Sequence, residues 1–92
     1  MTITREEIIQ KLAGIIADQL TKPHEELEVL VAERPDIPLE LLGIDELEHY
    51  ELMMNVEEAF ECEISDEDAE SLLTFGELVE YVEDCSEATT QA

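Results

Sequence analysis

Ninety-two residues make a chain of one-domain size, and hydrophobic residues form 45% of it. There is no Trp, and Phe and Tyr number two each, so a core has to be built from Leu, Ile, Val and Met. Four Lys and Arg stand against 26 Asp and Glu, a net charge of −22. A field of that sign excludes direct binding to DNA, RNA or an anionic membrane surface, and it favours basic patches on proteins or divalent cations.

The first ten residues, "MTITREEIIQ", lack the basic-then-apolar pattern of a secretory leader, and no apolar run approaches the length of a membrane span. Cys62 and Cys85 have no metal-type spacing. They permit a disulfide without requiring one, and free thiols in a reducing compartment are expected. The expectation is a soluble, cytoplasmic protein.

In chain order, Thr4 and Glu7 make a capping box, in which each residue satisfies a free N–H at the other's position. Ile8, Ile9, Leu12, Ile15, Ile16 and Leu20 follow at three- and four-residue spacing, which predicts a helix over 5–20. Residues 21–44 read as a long connection punctuated by Pro23, Pro35 and Pro38, with one or two helical turns in "HEELEVLVAER". "RPDIPLELLGI" reads as an extended loop pinned to the core by Ile37, Leu39, Leu41 and Leu42. Asp45 is a good N-cap with Glu48 as its reciprocal partner, and the helix they open runs to about Glu61. Its apolar residues form two lines, Leu52, Val56 and Phe60 on one side and Leu47, Tyr50 and Met54 turned away from them. A short helix is expected from about Asp66. A last helix of two to three turns follows the Thr74–Glu77 capping box, and "CSEATTQA" carries no pattern. The reading is an all-α bundle of three longer helices plus one short one, over residues 1–84, with a flexible tail at 85–92.

From Leu42 to Val82 the chain, "LGIDELEHYELMMNVEEAFECEISDEDAESLLTFGELVEYV", resembles the acyl carrier proteins. It matches the family's Leu-Gly-x-Asp-Ser-Leu lead into the second helix and the Glu-Leu within that helix. It also matches the acidic-Phe helix end, the Glu-Ile-x-Asp-Glu turn and the Thr-led last helix. The resemblance implies the small acyl-carrier-like bundle. In the family, the serine of Asp-Ser-Leu carries a 4′-phosphopantetheine arm whose thiol holds the acyl chain. The matching tripeptide is Asp45-Glu46-Leu47, and Glu46 has no hydroxyl. Ser65, Ser71 and Ser86 lie outside that helix-start context, so no phosphopantetheine is expected. Glu46 has two readings. A first-turn carboxylate favours the helix by roughly 0.3–1 kcal/mol, and a negative group here also mimics the family's phosphate.

The resemblance further implies that helix 45–61 docks partners. Glu46, Glu48, Glu51, Glu57 and Glu58 would meet Arg and Lys, and Leu47, Tyr50 and Met54 would supply apolar contact. A solvated acidic face is the alternative. Glu61, Glu63, Asp66, Glu67 and Asp68 cluster in sequence without an EF-hand order or its glycine, so no specific metal site is expected. His24 and His49 have no Ser or Cys at motif spacing, and neither Cys sits in a cationic setting. No catalytic residue is identified. The expected function is therefore an acidic, acyl-carrier-like interaction protein that lacks the attachment serine. It would dock the basic surface of a protein partner, such as a fatty-acid or polyketide type acyl-transfer enzyme. Two alternatives stand beside it: an acidic nucleic-acid mimic that inhibits a DNA- or RNA-binding protein, and a carrier whose arm-bearing serine has been substituted.

Overall fold

The computed structural model describes residues 4–91, with side chains described for residues 4–85. Six helices follow in order: α1 (Arg5–Leu20), α2 (His24–Glu33), α3 (Leu39–Leu42), α4 (Glu46–Phe60), α5 (Asp66–Ser71) and α6 (Phe75–Gln91). No strand forms among the described residues, and no helix there is long and apolar enough to cross a membrane.

Three of the long helices start where a side chain takes up a free backbone N–H. Thr4 Oγ1 accepts the Glu7 N–H at 3.2 Å. Asp45 Oδ1 accepts the Glu48 N–H at 2.8 Å, while Glu48 Oε1 accepts the Asp45 N–H at 3.2 Å. Thr74 and Glu77 make the same exchange at 3.1 and 3.0 Å.

α1 is the central element and packs against α2, α4 and α6. It buries Ile8, Leu12 and Ile16, and also Ala13 and Ala17, whose small side chains let neighbours approach. α4 contributes Leu52, Met53 and Val56, and α6 contributes Phe75, Leu78, Val79 and Val82. Each such aliphatic or aromatic side chain, once fully buried, contributes about 1.5–3 kcal/mol. That burial offsets the mutual repulsion of the carboxylates.

Several expectations need correction. Residues 21–44 are not mainly a loop: α2 has ten residues and buries Leu27 and Val31. Pro23 takes the N-cap position, where proline does not interrupt helical hydrogen bonding, so the prolines bracket a helix rather than prevent one. The single turn of α3 aims Leu39 and Leu42 inward and leaves Leu41 65% exposed, so Leu41 does not pin this segment. On α4, Met53 takes an inward place that the sequence lines did not give it, and Phe60 is only half-buried. The backbone of α6 continues past Cys85 to Gln91, where a patternless tail was expected; no Gly or Pro interrupts it. Ala92 and the side chains of residues 86–91 lie outside the described residues. Finally, Cys62 and Cys85, expected as free thiols, are joined in a disulfide.

The loop before α3 is fastened to the start of α6. Leu39 N–H donates to Leu73 O at 2.9 Å and Phe75 N–H to Ile37 O at 3.0 Å, around an antiparallel bridge between Pro38 and Thr74. Two glycines make this corner feasible. Gly43 ends α3 at φ 109°, a conformation that suits glycine. A Cβ on Gly76 would lie 2.8 Å from the Pro35 carbonyl oxygen, so the 35–36 backbone can approach α6 only over a bare Cα.

Gly76→Ala should therefore destabilise the fold by about 1–3 kcal/mol in urea titration, through overpacking against backbone. Gly14→Ala is the contrast. Its Cβ would meet only the His24 ring, at 3.5 Å, so this variant should be neutral or gain up to about 1 kcal/mol from helix propensity.

Candidate docking face and groove

The outer face of α4 carries Leu47, Met54 and Tyr50, which are 80%, 60% and 45% exposed. Glu46, Glu51 and Glu58 are exposed beside them. Glu48 and Glu57 are less available than their spacing suggests. Glu48 spends its carboxylate in the capping box with Asp45, and its carbonyl accepts Gln19 Nε2–H at 2.7 Å. Glu57 Oε2 accepts the Ile64 N–H at 3.1 Å and so fastens the turn after α4.

Three of the chain's four Lys and Arg side chains are engaged elsewhere. Arg5 pairs with Glu83 of α6 at 3.1 Å. Lys11 donates to the Ala59 carbonyl at 3.2 Å and lies 5.1 Å above the Phe60 ring. Lys22 donates to the Leu42 carbonyl at 3.2 Å. Among the described residues no Lys or Arg forms an ion pair with the outer α4 carboxylates.

Beside this face runs a groove of about 930 Å³. Glu46, His49 and Tyr50 come from α4, Glu70 from α5, and Leu73 and Thr74 from the α5–α6 connection. Of these, Glu70 and Leu73 had no local sequence signal and Thr74 was marked only as a helix cap, because tertiary packing alone brings the three to this groove. His49 makes that packing specific: its Nε2–H donates to the Ala69 carbonyl at 2.7 Å. His24, at the start of α2, lies 2.7 Å from Asp18 Oδ1.

In the acidic 61–68 stretch, the Asp68 carboxylate accepts the Tyr81 hydroxyl at 3.1 Å, and that hydroxyl also lies 2.8 Å from the Glu63 carbonyl. Burial, then the Asp68 contact, raises the Tyr81 phenol above its usual value of 10.0. Among the described residues no three His, Cys, Asp or Glu side chains converge as metal ligands.

The capped helix α4 thus presents an exposed apolar line among acids on a small helical bundle. Residues 10–82 match the family model described as "Phosphopantetheine attachment site". The chain is also 38% identical over 81 residues to an acyl carrier protein of Prochlorococcus marinus (strain MIT 9515), an alignment covering 88% of this chain and 95% of that protein. The chain belongs to the acyl carrier protein family, whose members are carriers rather than catalysts.

The match corrects the expectation of no phosphopantetheine, since the family is itself defined by attachment of that group. At the start of α4, however, the residue present is Glu46. A carboxylate offers no hydroxyl for the serine-type phosphodiester, so this side chain does not fit the family's linkage.

With so few of the acids paired, repulsion between them opposes the fold. Raising NaCl at neutral pH should raise the melting temperature, and millimolar Mg²⁺ should raise it more than NaCl of equal ionic strength. A melting temperature indifferent to both would show that the acids are too widely spread to repel one another.

Proposed function

We propose that this chain acts as an acidic carrier-type interaction domain in the cytoplasm. On this reading it docks, through the outer face of α4, onto the basic surface of an acyl-transfer type enzyme. The supporting observation is the exposed line of Leu47, Tyr50 and Met54 among carboxylates that no Lys or Arg pairs among the described residues. Apolar anchors of this kind supply affinity when buried at the centre of an interface, and the surrounding charge steers the encounter. Glu46 adds negative charge at the helix end where the family's phosphate is carried.

Tyr50→Ala and Met54→Ala should each weaken binding to a captured partner by over ~2 kcal/mol with the fold intact by circular dichroism. Neutralising the distant acids Glu25 or Glu80 should change little. A nucleic-acid mimic would behave otherwise: each neutralised acid would cost a similar amount wherever it lay, and binding would fall steeply with salt. That outcome would replace the docking reading.

A second reading, a carrier altered at its attachment position, is favoured by the helix start itself. Gly43 and the Asp45–Glu48 capping box are in place immediately around residue 46. Incubated with coenzyme A and a broad-specificity phosphopantetheinyl transferase, Glu46→Ser should gain the mass of one arm, localised by peptide mapping to residue 46. No gain would mean that the surrounding surface has diverged as well.

A further inference from the structure

The disulfide joins the turn after α4 to the C-terminal part of α6. Cys62 directly follows Glu61, the left-handed C-cap of α4, and its N–H donates to the Glu57 carbonyl at 3.1 Å. Its side chain is buried, whereas Cys85, on α6, is partly exposed. The two Cα atoms are 6.1 Å apart, across 23 residues of sequence. The last large apolar residue of α6 is Val82, and residues 83–92 include no aliphatic side chain bigger than Ala. The Arg5–Glu83 pair at this end is half exposed, and such pairs hold little in water. One turn earlier, the Tyr81 hydroxyl bonds to Glu63 and Asp68 of the same facing segment. Among the described residues, the Tyr81 hydroxyl and the S–S bond both link the C-terminal part of α6 to the α4–α5 turn.

We propose that the Cys62–Cys85 bond is a reversible redox clasp, opened by a dithiol reductant, that sets the order of the α4–α5 turn and the end of α6. A thiolate of the reductant attacks Cys85 Sγ, the more accessible sulfur. The S–S bond breaks, and Cys62 leaves as a thiolate and takes up a proton. The reductant's second thiol then displaces Cys85, which is protonated in turn. Two electrons pass to the protein, and the reductant ends as a disulfide. Opening the clasp need not dissolve the bundle, because the buried side chains of α1, and those of α4 and α6 up to Val82 that pack around it, lie outside the clasp. The net charge of −22 also selects among reductants, because it repels anionic thiols and leaves neutral ones free to approach. The clasp stands apart from the docking reading, since it needs no partner on α4.

The experiment uses the full chain, prepared without reductant, with dithiothreitol as the neutral dithiol. Before reduction, iodoacetamide under native conditions should alkylate neither cysteine; after it, both. Hydrogen exchange followed by mass spectrometry should then accelerate at 61–64 and 81–85 while residues 8–17 of α1 stay protected. The melting temperature should fall by roughly 10 °C or more. Tyr50→Phe leaves Tyr81 as the one phenol, and its alkaline absorbance titration should move back toward 10.0 on reduction. A Cys62→Ser, Cys85→Ser double variant should show the fast-exchange pattern with or without dithiothreitol; should it fail to fold, the reduced parent chain supplies the same comparison. Alkylation of both cysteines before any reduction would overturn the proposal. So would exchange rates at 61–64 and 81–85 that are identical in the two redox states.

Discussion

Two backbone hydrogen bonds, Leu39 N–H to Leu73 O and Phe75 N–H to Ile37 O, govern how this bundle presents its working helix. They join the approach to α3 with the approach to α6, so two loops far apart in sequence behave as one corner. Everything near Glu46 is referred to that corner. α3 runs one turn from it, Gly43 reverses the chain, and Asp45 opens α4. The groove beside α4 exists because α5 and the 73–74 connection are held on its far side by the same pair of bonds and by His49. Gly76 is the steric condition for the corner, since a side chain there would meet the Pro35 carbonyl.

The balance of forces explains why the corner is built from backbone. Side-chain ion pairs are scarce in a chain with four Lys and Arg, and three of these are already used: Arg5 joins α1 to α6, Lys11 joins α1 to the end of α4, and Lys22 holds the end of α3. Cohesion therefore rests on aliphatic burial around α1, on helix caps, and on main-chain bonds that need no charge. The acids are left on the surface, including the face of α4 where they flank Leu47, Tyr50 and Met54.

Much of this was legible from residue order. The Thr4, Asp45 and Thr74 caps announced three helix starts, because capping is a local matter of a side chain reaching three residues forward. The division of α4 into an inner and an outer line followed from helical spacing, although Met53 falls at the edge of the inner line and was missed. Three kinds of feature were not legible. α2 was obscured because Pro23 reads as a breaker until it is seen at a helix start. The groove residues Glu70, Leu73 and Thr74 share a site only through tertiary packing. The pairing of Cys62 with Cys85 depends on α6 running past Val82, and no apolar pattern marks that extension. The same locality limited the reading of Glu48 and Glu57, whose carboxylates looked free by spacing and are engaged by neighbouring N–H groups.

All six helices carry acidic residues in the first turn, and none carries a basic residue in the last. The positive end of each helix dipole is thus answered within its own helix, whereas at the negative ends Lys22 reaches the Leu42 carbonyl of α3 and Lys11 the Ala59 carbonyl of α4 from elsewhere in the chain. The rest of that compensation falls to mobile cations. Ions from the medium are then a constituent of the folded protein in the thermodynamic sense, gathered as the chain compacts and shed where a basic surface replaces them. Part of the driving force for any such association would be the entropy of the ions set free, a quantity fixed by the buffer as much as by the interface.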